Sequence, residues 1–518
     1  MVVVTRASGE EGRPEVQSEE TMRFKRFVCT IAVTLFAAGM VPTRLSAQEA
    51  GEGKNHPRYQ LVDLGTFGGP HSAVGGQSIV VNNKRVVAGG ADTSIPDPYA
   101  PLCFDPGWCF VEHTFRWQDG ALADLGALPG GYSSFGYAMN EPGLIVGWSQ
   151  NGLIDPITGV PEYVPTAWRK GHIIDLGTFG GAFGEAAAVN DQGFVVGAAE
   201  NSTPDPFGLA SFFAIDGSTE LHAFGWKGSG AIFDLGTLSG PGAVPLSVNK
   251  CGQVVGLSFT SSIPGPLGIP PLDPFLWENG VMVDLGTLGG TLGIAAKVTN
   301  QGQVVGDSDL EGDSTQHGFS WKQGVLTDLG TFGGTFSTAK WVNESGEVVG
   351  GAKTANDDFV KAFRWKNGRM RDLGTVDGDL CSVAWSINET GQIVGNSAPN
   401  CDFFAEERAF LWEKGRIIDL NAFVPPDSDL YLLEADFIND NGDITGPAFL
   451  SNGDVHQYLL LRCGQQDSGG CQTARAPLAH RARNINATAS RQGRMSSPST
   501  GLQGLRNRIS RIGAGVKR

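Results

Sequence analysis

Residue types able to do chemistry are few in this chain, and most recur at regular intervals. Eight aspartates open an Asp-Leu-Gly signature: Asp63, Asp124, Asp175, Asp234, Asp284, Asp328, Asp372 and Asp419, spaced 44 to 61 residues apart, with Asn421 replacing the last glycine. Four of the eight histidines, His113, His222, His317 and His456, sit at one repeated position ahead of an aromatic strand. A catalytic carboxylate pair needs two acids a few ångströms apart, and a metal needs ligands that converge. Groups placed once per repeat are dispersed instead. Capping the following turn through backbone N–H groups is a sufficient role for the aspartates.

One acidic stretch departs from the repeat. Asp307, Asp309, Glu311 and Asp313 surround Gly312 and could gather Ca²⁺, although the twelfth position counted from Asp307 is Gly318 rather than Glu. The alternative is an ordinary acidic loop, and no other cofactor is indicated. The chain has no Gly-x-Ser-x-Gly elbow, phosphate-binding loop or His-Glu-x-x-His helix. Cysteines pair by proximity: Cys103 with Cys109, Cys381 with Cys401, and Cys463 with Cys471 are expected disulfides in an exported chain, leaving Cys251 free. Their gaps are too long for a structural zinc site.

These residues are carried by a repeat. After each Asp-Leu-Gly comes a glycine turn such as Thr66-Phe67-Gly68-Gly69, then a strand ending in Val-Asn or Ile-Asn, with Asn82, Asn140, Asn190, Asn249, Asn343, Asn388 and Asn439, and Thr299 in the fifth copy. A short turn leads to a Gly-Gln-Val-Val-Gly strand, and then to a strand closing in Trp117, Trp168, Trp226, Trp277, Trp321, Trp365 or Trp412, or in Leu460. Asparagine followed by glycine is hairpin chemistry, and period-two aromatics share one sheet face. Four short strands per unit predict an all-β chain forming a single eight-bladed β-propeller. Tyr59 to Leu64 precedes any partner while the last copy lacks a fourth strand, so the N-terminal strand is expected to close the last blade. Small residues open each innermost strand, at Ser78, Gly136, Ala186, Pro245, Ala295, Ala339, Ala384 and Ala435, as a crowded axis requires. An open solenoid with capping repeats is the alternative.

The Asp-Leu-Gly-Thr-Leu-Gly-Gly, Val-Asn-x-x-Gly-x-Val-Val-Gly and His-Ala-Phe-x-Trp pattern resembles the extracellular HAF repeat family over residues 59 to 461. Only His222 has both Ala and Phe after it, while Thr166, Asp273, Lys361 and Arg408 hold the matching position in other copies. The resemblance implies export from a bacterial cell and a repeat fold. It carries over no catalytic residue.

The irregular part of the repeat is where function is expected. Copies one to four insert long segments between their second and third strands, at about 90 to 112, 148 to 164, 198 to 221 and 257 to 273. They should line one rim, with Tyr99, Phe104, Trp108, Phe110, Tyr163, Phe207, Phe212 and Phe213 as candidate ligand-binding aromatics. The bland alternative is that these rings fold back and seal their own loops. The leading reading is an exported scaffold binding a glycan or an envelope or extracellular protein, rather than an enzyme. The alternatives are a structural envelope or matrix protein without a discrete ligand, and a secreted hydrolase or lyase.

Composition fits that reading. Glycine supplies 74 residues and proline 28, with only 18% charged residues, as suits a chain of tight turns. Residues 48 to 471 carry 22 basic and 49 acidic side chains, which disfavours a nucleic-acid partner. Residues 472 to 518 carry ten basic and no acidic ones; with the Cys/Gly junction they form the expected basic, disordered tail of 462 to 518. Met22 to Ala47 has the layout of a signal peptide, with an apolar stretch of 15 residues, Phe27 to Val41, short of the roughly 20 that span a bilayer. Residues 1 to 21 read as an extension ahead of the true start, 48 to 58 as a linker, and no integral membrane domain is expected. The destination is the periplasm, the medium or the cell surface, and the oligomeric state is left open.

Overall fold

The computed structural model describes residues 57–75, 78–101, 103, 108–205, 207–209, 219–401, 407–464 and 470–474. The signal peptide at 22–47 and all of the basic tail beyond residue 474 lie outside them. The fold is all-β, with two short 3₁₀ turns at Ala355–Asp357 and Leu420–Phe423. Among the described residues no helix is long and apolar enough to cross a membrane. Each copy is a run of antiparallel strands: in the second copy Ser134–Met139, Ile145–Ile154, Pro161–Arg169 and His172–Asp175 pair in succession. Parallel bridges join the third strand of one copy to the first strand of the next, as at Tyr163 with Phe183, Leu272 with Leu292 and Gln316 with Phe336. The result is several large mixed sheets of up to 12 strands.

Two sequence signatures have a direct structural cause. The first strand of a copy carries a β-bulge, between Ala186 and Ala188 in the third copy and between Ala295 and Lys297 in the fifth. There it brings a backbone carbonyl against the last glycine of the Val-Val-Gly strand. A Cβ on Gly197, Gly306 or Gly350 would lie 2.1, 1.9 or 1.8 Å from the carbonyl oxygen of Glu185, Ile294 or Thr338. Only glycine fits.

The asparagine before the turn works in two directions. Its side-chain Oδ1 accepts the N–H four residues on, as Asn140 does from Leu144 at 2.8 Å and Asn439 from Asp443 at 2.8 Å. Its Nδ2 then donates to the matching carbonyl of the next copy: Asn140 to Asn190, Asn190 to Asn249, Asn249 to Thr299, and Asn388 to Asn439, all at 2.8 to 2.9 Å, and Asn343 to Asn388 at 3.2 Å. The chain of bonds returns to the first copy, Asn439 donating to the Asn82 carbonyl at 3.1 Å, while Asn82 reaches the Glu141 carbonyl at 3.5 Å. A parallel set joins each following N–H to the next copy's side chain, as Asn83 to Glu141, Glu344 to Glu389 and Asp440 to Asn83. Where Lys250 offers no acceptor, an ion pair with Asp191 at 3.4 Å takes its place.

The N-terminal strand Arg58–Asp63 pairs antiparallel with Val455–Arg462, Tyr59 opposite Arg462 and Asp63 opposite Tyr458. Gln472–Thr473 then adds outside it. Apolar packing falls between copies: Phe224 and Trp226 of the third copy share a cluster with Ala138, Leu144 and Val146 of the second. Each such fully buried ring contributes about 1.5 to 3 kcal/mol. Disulfides join Cys103 to Cys109, Cys381 to Cys401 and Cys463 to Cys471, and Cys251 is exposed and takes part in none of them.

Two expectations are revised. The first strands of copies one, three, five and six begin within the glycine turn, at Gly68, Gly180, Gly289 and Gly333, ahead of the small residues. The strands flanking the long segments of copies one to three run on into them as hairpins: Val87–Pro96 pairs with Phe110–Gln118, Ile145–Ile154 with Pro161–Arg169, and Val195–Pro204 with Thr219–Trp226.

Replacing Gly350 by alanine should cost about 1 to 3 kcal/mol, since the bulge carbonyl cannot retreat without breaking the ladder. Urea denaturation of G350A checks this. An unchanged midpoint would show that the close approach carries no constraint.

Candidate functional site

The repeated histidines pair with the repeated acids in four of the eight copies. Each Asp of the Asp-Leu-Gly signature accepts the N–H two residues on, from Gly65 at 2.8 Å through Gly374 at 2.7 Å to Asn421 at 2.8 Å. The histidine Nδ1 meets the same carboxylate, His113 with Asp124, His222 with Asp234 and His317 with Asp328 at 2.9 Å, and His456 with Asp63 at 3.0 Å across the N-terminal pairing. The Asp234 hydrogen bond raises His222 above its ordinary value. Burial works to raise Asp234, but the His222 hydrogen bond and the Gly236 N–H outweigh it and hold that carboxyl low. In the fourth copy Asp273 stands where the histidine would be; burial and the Asp284 charge push it to about 7. These are turn supports.

A different group converges in the first copy. His71 lies on Gly68–Ala73, Asp92 on Val87–Pro96 and Glu112 on Phe110–Gln118. Asp92 and Glu112 are direct cross-strand partners. One ligand atom from each of the three residues lies within 4.8 Å of the others, and exposures are 2%, 2% and 5%. Among the described residues no other group of three such side chains meets this distance. Two buried carboxyl groups facing each other are costly to ionise together, and a divalent cation offsets that cost. Burial, then the neighbouring His456, hold His71 near 4, so its imidazole is neutral and able to ligate at neutral pH. Two carboxyl groups and one imidazole can therefore coordinate a divalent cation, Ca²⁺ included, with positions left open.

The local sequence makes room for this group. A Cβ on Gly69 would lie 2.5 Å from Asp92 Cβ, and one on Gly90 would lie 2.4 Å from Glu112 Oε1. The matching positions elsewhere show the difference. Where His71 stands, the third and fifth copies have Phe183 and Leu292, each bridged like His71 to the preceding copy's third strand. Opposite Glu200 and Asp309, which correspond to Asp92, stand Leu221 and Gln316. Glu200 serves the neighbouring strand of its own copy, accepting the Phe183 N–H at 3.3 Å. Aligning the copies on the glycine turn would have exposed His71 and Glu112 as departures. Reading the histidines only at their repeated strand position hid them.

The candidate aromatics divide. Trp108 stacks on His71, with centroids 6.2 Å apart and planes 9° apart. It is placed there by the loop that Cys103–Cys109 closes and the Asp97 N–H to Cys109 carbonyl bond anchors at 2.8 Å. Tyr99 lies edge-on to the exposed Tyr132 at 5.7 Å, and Phe110 is half-buried at the start of the Glu112 strand. Tyr163 and Phe207 turn inward, Tyr163 against Trp148 and against Phe183 of the next copy, and Phe207 against Phe259 of the next copy. Phe104, Phe212 and Phe213 lie outside the described residues. In the acidic stretch, Asp307 accepts from Thr338 and Ala339 of the next copy, Asp313 accepts from Thr291, and Asp309 is buried while Glu311 is exposed. None of the four belongs to the converging group.

No family model and no curated protein matches the chain. Among solved structures it is similar to the acylaminoacyl peptidase of Pyrococcus horikoshii, at 10% identity and a TM-score of 0.38, over 69% of this chain and 53% of that one. It is also similar to Trypanosoma rangeli sialidase, at 9% identity and a TM-score of 0.25 over 67% and 56%, and to a Xanthomonas campestris gluconolactonase, at 10% and 0.24 over 62% and 90%. The chain thus spans about half the length of the first of these. Likeness at this level supplies no argument about activity. The His71, Asp92 and Glu112 group does, and it corrects the expectation that the chain is not an enzyme. That expectation rested on dispersed acids and histidines, whereas this set is gathered, buried and of a composition that holds a cation or ligand.

The His222–Asp234 pair sets a pH window. His222 takes up protons on folding, so its contribution is full below its ordinary 6.5 and lost as pH rises through its raised value. The Asp234 contribution is present above its ordinary 3.8 and lost as pH falls through its lowered value. Histidine NMR titration should place His222 above 6.5. In His222→Ala the remaining carboxyl should titrate higher, at a cost of about 1 kcal/mol or less. A His222 midpoint below 6.5 would contradict the pairing.

Proposed function

We propose that the chain is an exported, single eight-bladed β-propeller acting as a divalent-cation-dependent hydrolase or lyase on an extracellular or envelope glycan or protein, with its centre at His71, Asp92 and Glu112. The observation that carries the catalytic reading is that buried group, whose three members come together in the first copy, whereas the third and fifth copies have Phe183 and Leu292 in place of His71 and Leu221 and Gln316 in place of Glu112. Closure is supported by the Arg58–Asp63 pairing with Val455–Arg462 and by the Asn439 to Asn82 bond. Export and kinship with the HAF repeats are supported by the Met22 to Ala47 layout, the three disulfides and the motif order.

A divalent cation at this position supplies Lewis-acid polarisation of a substrate oxygen and lowers the pKa of bound water. Neutral His71 offers nitrogen, and Asp92 and Glu112 offer oxygens from adjacent strands whose pairing fixes their separation. Trp108 covers the imidazole and excludes water from one side. Tyr99 and Tyr132, beside the Glu112 strand, offer aromatic surface to a sugar ring or apolar side chain.

The test is titration of the chelator-treated protein with Mn²⁺ and with Ca²⁺, together with hydrolysis of a panel of polysaccharides and peptides with and without chelator. One site per chain is expected, weakened about 10- to 100-fold or more in H71A and E112Q, with chelator-sensitive turnover lost in both. If neither cation binds the wild type more tightly than E112Q, the cation centre is refuted. Turnover that survives both substitutions would place catalysis elsewhere.

A further inference from the structure

The fifth copy breaks the asparagine rule, and a cleft lies beside the seam that follows it. Thr299 occupies the turn position; its hydroxyl accepts the Gln303 N–H at 3.1 Å, but threonine has no amide to extend to the sixth copy. Gln303 is released by the same change. Its counterparts Gln253 and Gln392 accept the turn asparagine's Nδ2 through Oε1 at 2.7 and 2.8 Å, whereas Gln303 Nε2 turns to Ser320 Oγ at 3.0 Å. At this seam lies a cleft of about 340 Å³, lined by Gln301, Gln303, Lys322, Glu344, Trp365 and Asn367 among others.

Its frame is held from both sides. Glu344 of the sixth copy accepts the Asn300 N–H at 3.0 Å and Asn300 Nδ2 at 2.7 Å, and Gln301 Nε2 donates to the Glu344 carbonyl at 3.1 Å. The open seam is therefore bridged at its floor by the residues that follow Thr299.

We propose that this cleft is a second binding site, taking a neutral saccharide unit. Gln301, Gln303 and Asn367 each carry both donors and an acceptor, the pairing that sugar hydroxyls require. Trp365 supplies an aromatic wall for the apolar side of a pyranose ring. Lys322 and Glu344 contribute one charge of each sign, so the lining has no net charge with which to select an ion. The volume falls at the small end of ligand pockets and suits about one or two rings. The cleft lies at the turn-asparagine ends of the strands, whereas His71, Asp92 and Glu112 lie at the opposite ends, beside the long hairpins. A polymer held at one end leaves the other free, so this site does not depend on the reading of the first.

The experiment is calorimetric titration of the intact protein with cellohexaose, xylohexaose, chitohexaose and maltohexaose. At least one should bind, and both W365A and T299N should weaken it by about tenfold or more. T299N restores the amide found in seven other copies and closes the seam; because it follows the repeat, it keeps the fold, which circular dichroism and the melting temperature report. The titrations are run on chelator-treated protein, in which the proposed cation centre is idle, so that the weakening in W365A and T299N reports this cleft alone. Absence of binding by all four hexasaccharides, or undiminished binding in either W365A or T299N, overturns the proposal.

Discussion

The side-chain amide of the turn asparagine, present in seven of the eight copies, is the interaction on which the rest of this structure depends. Its oxygen closes the turn of its own hairpin and its nitrogen reaches the backbone of the next copy, so one side chain specifies both a local conformation and a neighbour. Each bond contributes about 0.5 to 1.5 kcal/mol, a modest amount singly, but the arrangement recurs around the molecule and its donors and acceptors are buried. The glycine of Val-Val-Gly is the steric complement. It admits the bulged carbonyl of the first strand in its own copy.

Departures from that rule mark the places where the molecule does something other than hold itself together. Thr299 gives up the inter-copy amide, and a polar cleft stands at that seam. His71 and Glu112 replace apolar and amide side chains, and a buried ligand set stands there. Trp108 is brought to that set by a disulfide-closed loop that adds little to the sheets themselves. A repeated side chain is distributed by the repeat, whereas a single exception can be concentrated, and both proposed sites stand at such exceptions.

This division also explains what was legible beforehand. Strand order, turn asparagines, aspartate caps, the disulfide pairs and the pairing of Tyr59 to Leu64 with the last copy follow from local spacing, because hairpin chemistry is decided within a few residues. The cation group was not legible from any short motif. His71, Asp92 and Glu112 span three strands and meet only through register, and each looks unremarkable in its own segment. The rim aromatics were half legible: their segment was identified, but the turn of Tyr163 and Phe207 into the core depends on Trp148, Phe183 and Phe259, which come from other strands and copies.

The account stands or falls on whether the asparagine bonds run continuously through the meeting of the eighth and first copies. Peptide-resolved hydrogen exchange on Asn439→Ala tests this directly, since Asn439 and Asn82 are 357 residues apart in sequence. Loss of the Asn439 amide should raise exchange in its own turn, residues 439 to 443, and at the same time in residues 82 to 86 of the first copy. Faster exchange confined to 439 to 443, with 82 to 86 unchanged, would contradict a fold held together copy to copy by these side chains.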